Sequence, residues 1–225
     1  MLQNKDRIWL IDLPQICLFV FLFLQIIAML LYSGGTLFNP DTLHYSFIRN
    51  FLSDLGRSEG FSGNNNFFSS QLFNTSLMLA GFVFITFYYK LTIIFVEYNH
   101  FLAKLGSFFG IMGGLSLIAV GLTPSNLYLS SHIIAAHWLF RFFLIAAIIF
   151  SYLTTKSKLI HSKYARGYII FAILILIYII ISEFGPSPKS NEIALTIQVV
   201  SQKFILIIMM ISIYWQTKGI AIISK

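Results

Sequence analysis

Cysteine is nearly missing from this chain of 225 residues: Cys17 stands alone, so an intramolecular disulfide is impossible and a cysteine metal site is excluded. Charge is scarce too. Only 10% of residues are charged, against about 25% in a soluble domain, while 57% are hydrophobic and the mean hydropathy is +0.81. That balance excludes an ordinary soluble protein. Acidic residues are the scarcer sign, eight against fifteen basic ones, for a net charge of +7. A nucleic-acid partner is not expected, because the basic residues cluster at the ends of apolar runs and form no stripe with interleaved aromatics. Prolines are few, five in all, and fall at the ends of the runs, which argues against the interrupted helices of many transporters. No stretch outside the apolar runs is long enough to bury a core of its own.

What the chain does have is six apolar runs, near 14–37, 68–90, 101–122, 132–153, 165–183 and 195–216. Each approaches the roughly 20 residues that cross a hydrocarbon core. The expected fold is all-α: residues 1–225 as one membrane domain, an antiparallel bundle of six transmembrane helices. Lys5-Asp6-Arg7 looks like the start of a signal peptide, but the run that follows is too long and lacks a small-residue cleavage site, so it is expected to stay as a helix. Ten lysines and arginines fall on the side of the two termini, four of them (Lys156, Lys158, Lys163, Arg166) in one loop. Three (Arg49, Arg57, Lys189) fall on the other side. That asymmetry predicts cytoplasmic termini.

The first loop on the outer side is long. Over residues 45–56, Tyr45, Phe47, Ile48, Phe51, Leu52 and Leu55 fill one half of a helical wheel and Ser46, Arg49, Asn50, Ser53 and Asp54 the other. With Asn39-Pro40 as a start and Gly56 as a stop, this reads as an amphipathic helix near 40–56 lying flat on the membrane. In the third run Gly106, Gly110 and Gly114 recur every four residues, a pattern that lets two helices pack closely in lipid. Thr123-Pro124 reads as the cap and first residue of the helix leading into the fourth span.

With this topology, Gln71, Asn74, His132, His137, Arg141, Glu183, Gln198, Gln202 and Lys203 all belong to the outer half. A charge inside a span costs about 2.5–3.5 kcal/mol on insertion scales, so Arg141 and Lys203 require partners. Asp54 and Glu183 are the acidic candidates. One reading is a set of structural pairs tying the bundle together, with Gln71, His132, Glu183 and Gln198 as supports. The other is an outward-facing pocket for a lipid or amphiphile, formed by Arg49, Asp54, Asn74, His137, Arg141, Gln202 and Lys203. Metal is not expected, since His132 and His137, at i,i+5, point about 140° apart on a regular helix. No cofactor is implied. Ser53 sits in no nucleophile elbow, which leaves Asp54 and His137 as the acid–base pair of an alternative reading, a lipid hydrolase or transferase within the membrane. A small-molecule transporter is a third.

The segment Phe51-Leu52-Ser53-Asp54-Leu55-Gly56, followed by Phe73-Asn74, Gly121-Leu122-Thr123-Pro124 and His132, resembles the six-helix bacterial family called domain of unknown function 998. Its Ser-Asp-x-Gly element is also similar to that of the Frag and DRAM-type membrane proteins. The resemblance implies a six-helix bundle in a bacterial inner membrane, with membrane lipids as the immediate partners, and brings no catalytic residues with it.

Overall fold

Within hydrocarbon a backbone must bond to itself, so runs this apolar become helices. The computed structural model describes residues 4–223 and contains six helices long and apolar enough to cross a membrane: α1 (Lys5–Leu30), α2 (Phe67–Phe95), α3 (His100–Leu122), α4 (Leu129–Lys156), α5 (Ala165–Phe184) and α6 (Glu192–Ile223). The chain is a multi-pass membrane protein. Consecutive helices pack antiparallel, and α6 returns against α1. Asn99 and Asn191 start α3 and α6, each side chain accepting the N–H three residues on, from Leu102 and Ala194 at 2.9 Å. The start of α1 and the end of α6 lie at one end of the bundle, and the long 31–66 loop covers the other, here called the loop end.

The first helix departs from its expected range of 14–37. It begins near Lys5 and carries Pro14 inside it, not at its start, just after a widened turn of π-helix at Ile8–Asp12. Such a turn accommodates a residue that cannot donate a backbone hydrogen bond. The helix stops by Leu31 because Gly34 and Gly35 both adopt left-handed backbone, with φ +100° and +83°. A Cβ on Gly35 would sit 2.2 Å from the Ser62 backbone nitrogen, so the chain turns there around glycine alone.

The α2–α3–α4 side is closely packed around glycines. A Cβ on Gly110 would lie 2.1 Å from the Tyr88 ring, and Gly114 backs onto the Gly81 carbonyl of α2. Gly106 faces Ile149 and Phe150 of α4 instead, so the small-residue stripe passes from one neighbour to the other. Phe84, Phe87, Tyr88, Phe143, Phe150 and Tyr168 fill the interior as edge-on and tilted ring pairs.

The expected amphipathic helix over 40–56 is replaced by irregular chain ending in a single 3-10 turn, Leu52–Gly56. The expected faces do not hold: Leu52 and Leu55 are buried, but so are polar residues of the other half. Asn50 and Asp54 are buried, whereas Phe47 and Ile48 are about half exposed. Asn and Asp side chains compete for backbone partners and so favour such turns over helix. Asn50 accepts from Ser46 N–H at 2.9 Å and donates to Gly35 O at 3.0 Å. Asn66 accepts from Ser33 N–H and donates to both Leu55 O and Arg57 O. Thr123-Pro124 likewise starts no helix: the Thr123 hydroxyl bonds back to Ala119 O on α3, and a turn on Pro124 O precedes α4.

Candidate functional site

Beneath this loop, α4, α5 and α6 diverge around a cavity of about 540 Å³. Phe51, Ser53, Asp54, Arg57 and Phe61 come to it from the loop; Leu129, His132, Ile133, Ala136, His137 and Phe140 from α4. Tyr178 and Ser182 of α5, Pro188 and Lys189 of the following turn, and Leu195, Gln198 and Gln202 of α6 complete the wall. Leu129, Ile133, Ala136 and Phe140 recur at helical spacing and make one apolar face of α4. The loop, α5 and α6 supply most of the polar groups.

Of the residues expected to form a ligand pocket, Asp54, His137 and Gln202 line it, and the other four do not. Arg49 pairs with Glu192 at 2.7 Å near the surface. Asn74 donates to Gly56 O at 3.1 Å, beneath the 3-10 turn. Arg141 is paired with Glu183, bridging α4 and α5, and its guanidinium lies 5.6 Å from the Trp138 ring centre. Lys203 is buried and donates to Asn50 O, with the Tyr45 and Phe47 rings 5.4 and 5.0 Å away. Among the supports, His132 and Gln198 line the cavity, while Gln71 is exposed on α2.

Gln202 fastens the loop to α6, its Oε1 accepting from Leu52 N–H at 3.0 Å. Gln198 donates to Ile181 O at 2.7 Å and to Pro186 O, bracing the carbonyls where α5 stops. His132 donates Nδ1–H to Thr123 O at 2.7 Å, which leaves Nε2 as the nitrogen with a lone pair. Asp54 Oδ2 accepts from Phe51 N–H at 2.8 Å and from Asn50. Burial pushes its carboxyl up to about 6, against the opposing pull of Arg57, Asn50, Phe51 N–H and Lys203.

Sequence reasoning passed over Arg57, Tyr178, Ser182 and Lys189. The two cations were counted as topology signals, and Tyr178 and Ser182 resemble any polar residues near the end of a span. Gly185-Pro186-Ser187-Pro188, which ends α5 and leads into Lys189, was the available signal for an opening on that side.

This arrangement offers an apolar wall facing hydrogen-bonding and charged groups. No hydrogen bond joins Ser53 to either histidine among the described residues, and no group of three or more His, Cys, Asp or Glu side chains comes together there. The sequence model of a family described as "Protein of unknown function (DUF998)" matches residues 16–212. No curated protein and no solved structure matches the chain.

Proposed function

The chain belongs to the DUF998 family, and from that premise we propose that its loop-end cavity holds a membrane amphiphile, with the chain on the α4 face and the head among the polar groups. The carrying observation is the cavity itself: about 540 Å³, within the range of small-molecule sites, apolar along Leu129, Ile133, Ala136 and Phe140 and polar opposite. In this reading the protein is a binding protein of the bacterial inner membrane, and the ten-to-three bias of basic residues turns the cavity outward.

Native mass spectrometry of gently purified protein tests the binding. Wild type retains a bound amphiphile, and Ala136→Trp, which fills the cavity from α4, does not. Equal retention by both proteins sinks the proposal. Orientation has its own test: with Cys17→Ala as background, an impermeant thiol reagent labels a cysteine at Ser62 but not one at Ser157 in intact cells.

A second reading draws on Asp54 and His137 lining the same cavity, with the Asp54 carboxyl near 6, a range suited to proton transfer at neutral pH. There the protein is a lipid hydrolase or transferase. Turnover that is lost in His137→Ala, with the fold intact, separates an enzyme from a binding protein.

A further inference from the structure

Cations at the loop end fall into two groups. Arg49 and Arg141 each hold a carboxylate, Glu192 and Glu183. Lys203 is spent on Asn50 O beneath two aromatic rings. Arg57 and Lys189 have no carboxylate within ion-pair distance among the described residues, and these are the two cations that line the cavity. The single carboxylate of the lining, Asp54, is already engaged by Phe51 N–H and Asn50.

Arg57 is also held in place. Its Nε donates to Glu59 O at 3.0 Å and its guanidinium lies 4.0 Å from the Phe61 ring centre, and neither terminal nitrogen makes a hydrogen bond among the described residues. A guanidinium fixed in this way is prepared for a two-pronged contact with an oxyanion, at little further cost in side-chain freedom. Lys189 follows Pro188 on the turn after α5 and supplies a second, more mobile charge from a different wall.

We infer that the cavity selects amphiphiles with an oxyanion head, placed between Arg57 and Lys189, with the chain along Ile133, Ala136 and Phe140. This rests on the reading of the cavity as an amphiphile site and adds the sign and chemistry of the head. A cationic head would meet the positive charges of Arg57 and Lys189, against the single carboxylate of Asp54, and an uncharged one would leave both cations unused.

Three amphiphiles of equal chain length separate the cases: dodecyl phosphate, dodecyltrimethylammonium and dodecyl glucoside, titrated against the full chain in a neutral maltoside detergent, with inorganic phosphate as a fourth arm. Dodecyl phosphate binds saturably and at least about tenfold more tightly than the other two, and Arg57→Gln or Lys189→Gln each weakens it about tenfold, the loss expected for one charged hydrogen bond. Arg57→Lys keeps the charge without the fork and falls between. Lys189 is exposed on a turn, so its variant carries the test even where Arg57→Gln fails to fold. Equal affinity for all three heads overturns the selectivity and leaves the amphiphile reading standing. Inorganic phosphate binding as tightly as dodecyl phosphate overturns the amphiphile reading and this proposal with it.

Discussion

The two sides of the bundle are built from similarly apolar helices and end in opposite states. Between α2, α3 and α4, glycines set backbones against aromatic rings, and a single added Cβ has nowhere to go. Between α4, α5 and α6 at the loop end, prolines and polar side chains stop helices short, and a cavity of about 540 Å³ remains. Mean hydropathy does not distinguish these sides; residue size and backbone hydrogen bonding do. Close packing in lipid comes from small residues meeting large ones, and an opening forms where backbone groups are satisfied by side chains, as Gln198 does for carbonyls at the end of α5 and Gln202 for the Leu52 N–H.

The largest effect expected is on the packed side. Gly110→Leu drives a side chain into the Tyr88 ring and costs at least about 3 kcal/mol, while Phe108→Leu on the exposed face of the same helix costs little. Thermal unfolding in matched detergent measures both. Equal melting temperatures would place the glycine stripe against lipid and erase the contrast between the two sides.

On the open side the loop is held by a few buried side chains, so removing one loosens it without unfolding the bundle. Asn50→Ala leaves Ser46 N–H without its partner and Gly35 O with only the Tyr32 hydroxyl, and costs about 1–3 kcal/mol. Limited proteolysis then cuts within residues 31–66 faster than in wild type. Unchanged cleavage would mean that the loop is held some other way.

Asp54 adds a pH dependence. In the folded protein its carboxyl titrates at about 6, against an ordinary 3.8, so the native state binds this proton more tightly than the unfolded chain does. Its contribution to stability is fully present below about pH 4, declines as pH rises towards 6, and stays lost above. Asp54→Asn carries no such penalty. Its melting temperature relative to wild type therefore rises between pH 4 and 6 and then levels off, a difference on the order of 2 kcal/mol. A difference that stays flat with pH would show that Asp54 is not desolvated.

The smallest effect concerns the α4–α5 seam beside the cavity. Arg141→Met combined with Glu183→Gln yields a coupling of about 1 kcal/mol, because the pair is partly exposed. The same substitution combined with Asp54→Asn is additive. Coupling to Asp54 in place of Glu183 would move Arg141 into the cavity network.

Much of this contrast could be read from the residues, and what could not be has identifiable causes. Hydropathy located all six spans, because a hydrocarbon core allows few alternatives to helix. It misplaced the ends of α1, where two left-handed glycines, not polarity, stop the chain. The 45–56 wheel separates polar from apolar residues, but it does not reveal that Asn50 and Asp54 serve backbone groups inside the fold, where they are buried together with Leu52 and Leu55. Asp54, His137 and Gln202 were found as polar residues at one end of the spans. Arg57 and Lys189 were not, since a cation in a loop looks the same whether it faces water or a cavity.

Photolabelling reaches the central claim most directly. A dodecyl phosphate carrying a diazirine in its chain is activated on the full-length protein, and the adducts are mapped by peptide mass spectrometry. Adducts are expected to concentrate on Leu129, Ile133, Ala136 and Phe140 of α4 and on Tyr178 of α5, competed away by unlabelled dodecyl phosphate and abolished by Ala136→Trp. Adducts spread over the exposed apolar faces of the bundle, such as Phe19 and Phe23 of α1, and indifferent to competitor, would contradict the claim.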